Sequence, residues 1–302
     1  MAKKVLIIDE VHPSLAADLR SLGFEVDEQP QIHPNEVQLA GYQGLVLRSK
    51  MSLGAKELEG STLEFIARAG AGLDLIDEAY CSANQIAVFS ANEGNRDAVA
   101  EHVIGQLITL ARKINTADTQ VRNGIWDREG NRGWELQGKT LGIIGYGNMG
   151  QSLAKKLQGF DMNILAYDKY APATHALKDI FEQADILSLH VPLTDETKEM
   201  VNSAFIEQFK KPIVLINSSR GSICSLEALA AGLSSGQLRG LALDVLPNEK
   251  LATWTPTEKA LFNQIASHPM TLFSPHVAGW TTESYWKIND ALIDKIKTHY
   301  QL

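Results

Sequence analysis

Three glycines near the middle of the chain have the type and spacing needed to bind a dinucleotide. Gly145, Gly147 and Gly150 form a G-x-G-x-x-G pattern directly after the short apolar run 141–144. The first glycine permits a tight turn after a strand. The second lets the backbone approach a pyrophosphate, and the third lets a helix pack close to the sheet. The pattern therefore predicts a strand, a phosphate-binding turn and a helix. The helix N-terminus would attract the phosphates, because it carries partial positive charge.

A carboxylate follows at the predicted tip of the next strand. The apolar run 162–167 ends in Asp168, 18 residues after Gly150. Such a carboxylate accepts hydrogen bonds from the adenosine ribose hydroxyls. It also repels a 2′-phosphate by roughly 1 to 4 kcal/mol at contact distance. Lys169 could weaken that repulsion, but we predict NAD rather than NADP as the cofactor.

Polar side chains suited to proton transfer and anion binding follow four later predicted strands. They are His190, Arg220, Glu249 and His276. Ligands of an open α/β sheet bind at the carboxyl ends of its strands, so these residues should collect at one edge. Each alone has an ordinary structural explanation, such as a surface ion pair. The prediction of a reactive site therefore depends on their combination.

The elements that must position these residues are short apolar strands alternating with helical stretches. This alternation predicts an α/β fold with parallel sheets and helices on both faces. The predicted strands of a first unit cover residues 5–8, 24–27, 44–47, 65–67 and 86–89. Those of a second unit cover residues 141–144, 163–167, 186–189, 213–216, 240–243 and 271–273.

Two longer helices are predicted outside this alternation. Apolar residues recur at helical spacing from residue 99 to residue 114, which predicts one continuous helix over about 97–123. A second helix is predicted over 283–299. The dinucleotide unit is complete before it, so we expect this last helix to return and pack on the first unit.

Composition excludes several classes of protein. The 302 residues are 44% apolar and 21% charged, which is typical of a globular enzyme. A net charge of −8 argues against nucleic acid or an anionic membrane as partner. Cys81 and Cys224 show neither metal-ligand nor disulfide spacing, and no apolar run approaches 18 residues. We expect a cytoplasmic protein that binds no metal.

Several ordered motifs resemble the D-isomer-specific 2-hydroxyacid dehydrogenases, over nearly the whole chain. Besides the glycine-rich turn, they occupy residues 68–74, 189–194, 217–221, 244–249 and 274–276. The resemblance implies two Rossmann-like domains with a cleft between them. Residues 1–95 plus 281–302 would form a flavodoxin-like substrate domain, and residues 96–280 the NAD-binding domain. It also implies a homodimer, with the long helix near residue 100 helping to join the subunits.

The same resemblance implies roles for individual residues. The catalytic set would be Arg220, Glu249 and His276. A histidine suits proton transfer to a carbonyl oxygen because it titrates near neutral pH, Glu249 would orient it, and Arg220 would bind the substrate carboxylate. Residues expected at the cofactor are Gly145, Gly147, Asn148, Met149, Gly150, Asp168, His190, Val191, Pro192, Thr197, Ser218, Ser219, Arg220, Asp244, His276 and Gly279. Residues expected at the substrate are Arg48, Gly70, Ala71, Gly72, Arg132 and Trp280.

The substrate is expected to be a small anionic 2-hydroxy acid. Arg48 and Arg132 are candidate ligands for a substrate phosphate, which makes 3-phosphoglycerate the first expectation. Hydroxypyruvate and glyoxylate are the alternative, in which both arginines are surface residues. A protein of another class, which binds NAD(H) as a sensor without turnover, is the third possibility. The complete Arg-Glu-His set argues against it.

Overall fold

The computed structural model describes residues 2–171 and 175–302. The chain divides into two compact units. The first unit comprises Met1–Arg96 and Trp280–Leu302, and the second comprises Asp97–Gly279. The first unit is therefore built from both ends of the sequence, whereas the second is continuous.

The N-terminal part of the first unit alternates strands and helices. Its strands are β1 (Lys4–Ile7), β2 (Glu25–Glu28), β3 (Gly44–Leu47), β4 (Phe65–Arg68) and β5 (Ala87–Ser90). Its helices are α1 (Ser14–Ser21), α2 (Ala55–Leu58) and α3 (Glu78–Ala83).

The rest of the chain continues the alternation. The helices are α4 (Arg96–Arg112), α5 (Ile114–Arg122), α6 (Asn148–Lys156), α7 (Leu177–Gln183), α8 (Ser203–Ile206), α9 (Leu226–Ser235), α10 (Pro256–Ala266) and α11 (Thr282–Tyr300). The strands are β6 (Thr140–Ile144), β7 (Asn163–Tyr167), β8 (Ile186–Leu189), β9 (Ile213–Asn217), β10 (Leu238–Leu243) and β11 (Thr271–Phe273). Every predicted strand is confirmed, with ends that differ by no more than two residues.

Both sheets are parallel throughout. The first has the order β2-β1-β3-β4-β5, and the second has the order β11-β10-β9-β8-β6-β7. Both follow the flavodoxin-like order, and the second adds a sixth strand at its edge. In the second sheet the chain first moves from β6 to β7 and then crosses to β8 on the other side of β6. This reversal is the switch point where α/β sheets bind ligands.

The last helix completes the first unit, as the sequence predicts. Ile288, Leu292 and Ile296 on α11 are buried in one cluster with Val5 and Phe65. They repeat at intervals of four residues, so they form a single apolar face on α11. The N-terminal strands are therefore covered on one side by the C-terminal end of the chain.

The prediction of one continuous helix over 97–123 is wrong. The helix stops at Arg112, Lys113 adopts a left-handed φ of 53°, and α5 begins one residue later. The amide of Trp134 donates to the Ala111 carbonyl at 2.9 Å, so this acceptor is not available to a continuing helix. A Cβ on Gly133 would lie 2.4 Å from the same oxygen, so the downstream segment packs directly against the break.

No helix among residues 2–171 and 175–302 combines the length and apolar character needed to span a bilayer. Cys81 and Cys224 are both buried and unbridged.

Candidate active site

The glycine-rich turn after β6 has the geometry that its sequence predicts. Gly145 has a φ of 93°, and a Cβ there would lie 2.4 Å from the His190 carbonyl oxygen. A Cβ on Gly150 would lie 2.2 Å from the Gly145 carbonyl oxygen, so α6 packs against the turn itself. A Cβ on Gly147 would meet nothing within 4 Å. The first and third glycines are thus required by packing, and the second leaves open space for a ligand.

The start of α6 fits a dinucleotide phosphate. Gly147 is its N-cap residue and supplies no side-chain hydrogen bond to the first turn, which begins with Asn148 and Met149. The N-terminal amides of the helix are left for an anion. The Ser218 hydroxyl at the end of β9 is buried and has no hydrogen-bond partner among the described residues. A buried hydroxyl without a partner is rare, and a bound cofactor would give it one.

Asp168 is held in place directly after β7. Its Oδ2 accepts the amide of Tyr146 at 2.7 Å, and its Oδ1 accepts the amide of Tyr170 at 2.8 Å. Tyr146 lies inside the glycine-rich turn, so the carboxylate and the turn are fixed to one another. A carboxylate at the end of this strand is suited to accept hydrogen bonds from ribose hydroxyls.

The loop after β8 carries His190, Val191, Pro192 and Thr197. The His190 Nε2 lies 2.9 Å from the Ser188 hydroxyl, and burial lowers the pKa of His190 to about 4. Its imidazole is therefore neutral at physiological pH. Val191 packs on the apolar core of the second unit, and the Thr197 hydroxyl donates to the Pro192 carbonyl at 2.7 Å, which closes the loop.

The loop after β9 holds Arg220 through the buried amide of Asn217. The Asn217 Oδ1 accepts the Ser219 amide at 3.0 Å and its hydroxyl at 2.9 Å, while the Asn217 Nδ2 donates to the Arg220 carbonyl at 2.9 Å. A Cβ on Gly221 would lie 1.9 Å from the carbonyl carbon of Leu246. The loops after β9 and β10 thus pack backbone against backbone, which is possible only because residue 221 is glycine.

A glutamate–histidine pair joins the loops after β10 and β11. The His276 Nδ1 lies 2.8 Å and 3.0 Å from the two Glu249 carboxylate oxygens. Both side chains are 47% exposed. His276 has a left-handed φ of 57°, and its amide donates to the Asp244 carbonyl at 2.7 Å. One imidazole nitrogen is thus bound to the carboxylate, and the other is available to a ligand.

The Asp244 carboxylate is hydrogen-bonded to the loop that contains His276. Its Oδ1 accepts the Ser274 hydroxyl at 2.6 Å and the Val277 amide at 3.0 Å, and its Oδ2 accepts the Ala278 amide at 2.9 Å. This buried carboxylate therefore fixes the loop on both sides of His276. Gly279 ends the second unit one residue later.

Two residues on α4 support this arrangement and are not among the predicted site residues. The His102 Nε2 lies 2.9 Å from the Ser274 hydroxyl and 3.6 Å from the Asp244 Oδ1, and the Gln106 Nε2 donates to the same hydroxyl at 3.2 Å. His102 and Gln106 are four residues apart, so they share one face of α4. In the sequence, these two polar residues lie beside the apolar stripe of a predicted helix, and this was the pattern that could have indicated a buried polar contact.

In the first unit, Arg48 and Trp280 form a stacked pair. The Arg48 guanidinium lies 4.2 Å from the centre of the Trp280 ring, and both residues line a small pocket with His12 and Tyr285. The Arg48 amide donates to Asp9 Oδ2 at 2.6 Å at the end of β3. The stacking holds the guanidinium at the pocket wall.

The remaining predicted substrate residues differ in their surroundings. The Gly70 amide already donates to the Arg68 carbonyl at 2.8 Å, so it is not a spare donor. The amides of Ala71 and Gly72 have no acceptor among residues 2–171 and 175–302. Arg132 is 77% exposed and ion-paired with Glu129 at 2.7 Å. The structure does not bring Arg132 into hydrogen-bond contact with the Glu249–His276 pair.

Known proteins resemble this chain in sequence and in structure. The family described as D-isomer specific 2-hydroxyacid dehydrogenase, NAD binding domain, matches residues 104–278. A hydroxypyruvate reductase of Thermotoga maritima is 34% identical over 286 residues, which cover 92% of this chain and 90% of that protein. A D-3-phosphoglycerate dehydrogenase of Archaeoglobus fulgidus is 30% identical over an alignment of 305 positions, which covers 97% of this chain. The match spans only 56% of that longer protein.

A solved structure adds a comparison of the whole fold. The NADPH-dependent glyoxylate/hydroxypyruvate reductase of Sinorhizobium meliloti, in complex with NADP and malonate, superposes with a TM-score of 0.81 at 26% identity. The superposition covers 99% of this chain and 94% of that one.

Proposed function

The chain belongs to the D-isomer-specific 2-hydroxyacid dehydrogenases, and from this we propose that it interconverts a D-2-hydroxy acid and its 2-oxo acid. NAD supplies or accepts the hydride when bound. The observation that carries the proposal is the Glu249–His276 pair, whose hydrogen bonds leave one imidazole nitrogen for the substrate oxygen. In reduction, His276 gives a proton to the carbonyl oxygen, and in oxidation it takes the hydroxyl proton.

We assign the other groups of the site by their chemistry. Arg220 binds the substrate carboxylate, because a guanidinium presents paired donors to a carboxylate. In the first unit, the amides of Ala71 and Gly72 and the side chain of Arg48 are the proposed substrate ligands. The second unit is the proposed NAD-binding domain, with the turn after β6 and Asp168 at the cofactor.

The proposed substrate is a small anionic 2-hydroxy acid, with 3-phosphoglycerate first and hydroxypyruvate or glyoxylate as the alternative. The pocket that contains Arg48 supports an anionic group such as a phosphate, because the Arg48 guanidinium is positively charged. The second candidate is hydroxypyruvate. It is favoured by the Thermotoga maritima hydroxypyruvate reductase, since this chain extends over 90% of that protein. Arg132 is paired with Glu129, so we give it no part in the first test.

The test is NADH oxidation with 3-phosphohydroxypyruvate, hydroxypyruvate and glyoxylate, for the native protein and Arg48→Gln. If the substrate is phosphorylated, Arg48→Gln lowers kcat/KM for 3-phosphohydroxypyruvate by about tenfold to a hundredfold and changes hydroxypyruvate reduction little. Equal effects on both acids contradict a phosphate at Arg48. Tight NADH binding without turnover of any 2-oxo acid contradicts the enzyme and supports the NAD(H)-sensing alternative.

We also propose that the protein is a homodimer that acts in the cytoplasm. Helix α5 and the residues after it expose Ile114, Val121, Ile125 and Trp126, and Trp126 is 79% exposed. Apolar groups of this size on one segment indicate a protein contact. Light scattering should give the mass of a dimer for the native protein and a lower mass for Ile125→Ser/Trp126→Ser. A monomer mass for the native protein contradicts the dimer. Cell fractionation tests the proposed cytoplasmic location separately.

A further inference from the structure

A lysine and a glutamate form an ion pair next to Asp168. Lys169 directly follows that residue, and its Nζ lies 2.8 Å from Glu196 Oε1 and 2.6 Å from Glu196 Oε2. The hydrogen bond to Glu196 raises the pKa of Lys169, so the ammonium is charged. Lys169 follows β7 and Glu196 lies in the loop after β8. These strands flank β6, so the pair bridges the two sides of the switch point.

A free lysine at this position would favour a cofactor with a 2′-phosphate. An ammonium next to the ribose can pair with the phosphate of NADP and offset the repulsion from Asp168. Here the ammonium already has a carboxylate partner. The three side chains of Asp168, Lys169 and Glu196 together carry one net negative charge.

Asp168 itself has little freedom to make room for a phosphate. Both of its oxygens accept backbone amides, from Tyr146 and from Tyr170. A carboxylate fixed at both oxygens cannot rotate away without leaving an amide unpaired. The balance of charge around the ribose therefore depends on whether the neighbouring ammonium is available.

We propose that Glu196 is a specificity-determining residue, which disfavours 2′-phosphorylated cofactors by occupying the Lys169 ammonium. The inference deepens the proposed function, since it rests on Asp168 as the ribose ligand. The Lys169 and Glu196 side chains are 54% and 67% exposed, so the pair contributes little to folding. The pair should instead affect the affinity for NADP, whose 2′-phosphate adds about two negative charges beside it.

The test measures dissociation constants of NADH and NADPH by nucleotide fluorescence, without any substrate. At low ionic strength we expect Glu196→Gln to bind NADPH about tenfold more tightly and NADH within about twofold of the native protein. The gain should shrink at about 0.2 M salt, because both side chains are exposed to screening.

Two further variants separate this effect from a change in net charge. Glu182→Gln removes the same charge from another exposed ion pair, Lys178–Glu182, and should leave both constants unchanged. Adding Lys169→Gln to Glu196→Gln should abolish the gain for NADPH, because the released ammonium is then absent.

Three outcomes overturn the inference. The first is an unchanged NADPH constant in Glu196→Gln, and the second is an equal gain for NADH and NADPH. The third is a gain that persists without Lys169. If the native protein binds NADH weakly or not at all, the cofactor site assigned in the proposed function fails as well, so the two failures are distinguishable.

Discussion

His276 is held in a backbone conformation that few non-glycine residues adopt. Its φ of 57° lies in the left-handed region, and such strain costs on the order of 1 to 3 kcal/mol. The conformation persists because the amide donates to the Asp244 carbonyl and the ring binds Glu249. The residues around His276 therefore fix the direction in which its imidazole points.

Replacing Glu249 with glutamine tests this orientation. An amide of the same size cannot accept from Nδ1 with both of its polar atoms and carries no charge, so the ring loses its fixed position. We expect kcat for 2-oxo acid reduction to fall by about tenfold to a hundredfold with KM changed less. Steady-state kinetics measure both constants. Glu207→Gln, an exposed residue just after α8, is the matched control, and an E249Q variant as active as this control contradicts the role.

His190 should make the stability of the protein depend on pH. Burial lowers the pKa of His190 to about 4, from about 6.5 in an unfolded chain. Its contribution is complete above pH 6.5 and is lost as the pH falls from about 6.5 to about 4, because only the unfolded chain binds the proton there. The imidazole is half-buried, so we expect a loss of about 2 kcal/mol rather than the full value.

Urea unfolding at pH 7 and at pH 4.5 measures that loss. His190→Gln has no imidazole to titrate, so its free energy of unfolding should fall less between the two pH values than that of the native protein. All other titrating groups are common to both proteins. If the free energy of unfolding falls equally in both proteins, His190 binds its proton equally well in the folded and the unfolded state.

At the scale of elements, the site depends on contacts between neighbouring strand-end loops. Gly221 lets the loop with Arg220 pack on the backbone at Leu246, three residues before Glu249. The glycine-rich turn makes the same kind of contact, since Gly145 lies against the His190 carbonyl. The loops after β6 and β8, and likewise those after β9 and β10, thus position one another directly.

Gly221→Ala should therefore disturb the site although it adds a single methyl group. The Cβ would lie 1.9 Å from the Leu246 carbonyl carbon, so the backbone must move. A shift of about 1 Å in a catalytic group can lower activity by about a hundredfold. We expect kcat/KM to fall by at least tenfold. Gly159→Ala is the control because its Cβ meets nothing within 4 Å, and equal activity of the two variants would contradict the prediction.

The sequence predicted elements better than it predicted their breaks and supports. Strands such as β3 and β8 are buried along their whole length, so they appear as uninterrupted apolar runs. The end of α4 depends on Trp134, which is distant in sequence from Ala111 and is not visible in local periodicity. The same holds for His102, which reaches Ser274 only in the folded chain.

At the scale of the molecule, the resemblance to a family supplied candidate residues but not their surroundings. The structure brings Glu249 and His276 of the predicted set into contact, and their catalytic role stays a prediction. The ion pair of Arg132 with Glu129, and the hydrogen bond of the Gly70 amide to the Arg68 carbonyl, are local contacts that the residue types of a motif do not reveal. Motifs can therefore supply candidate residues for a site, while the hydrogen-bond partners of each candidate have to be taken from the structure.

A stability measurement can test whether α11 packs in the core of the first unit. Leu292 on α11 is fully buried among residues from both ends of the sequence. Leu292→Ala should lower the free energy of unfolding of the first unit by about 2 to 5 kcal/mol, since it removes buried apolar surface and leaves a cavity. Asp290→Ala, on the exposed face of the same helix, should change it by less than about 0.5 kcal/mol.

Denaturant unfolding followed by circular dichroism measures both variants. If Leu292→Ala costs less than about 1 kcal/mol, α11 is not an integral part of that core. A loss as large for Asp290→Ala would contradict burial as the cause, because position 290 is exposed and alanine has the highest helix propensity.

The discontinuity of the first unit affects the order in which the two units can fold during translation. Residues 97–279 leave the ribosome as one continuous stretch, so the second unit has its whole core before α11 is made. Strands β1 to β5 emerge earlier, but the face that α11 covers stays bare until residues 282–300 have been added. Translation therefore completes the core of the second unit before that of the first, and the nascent chain carries an uncovered apolar surface until α11 has been added, the period in which chaperones bind such surfaces.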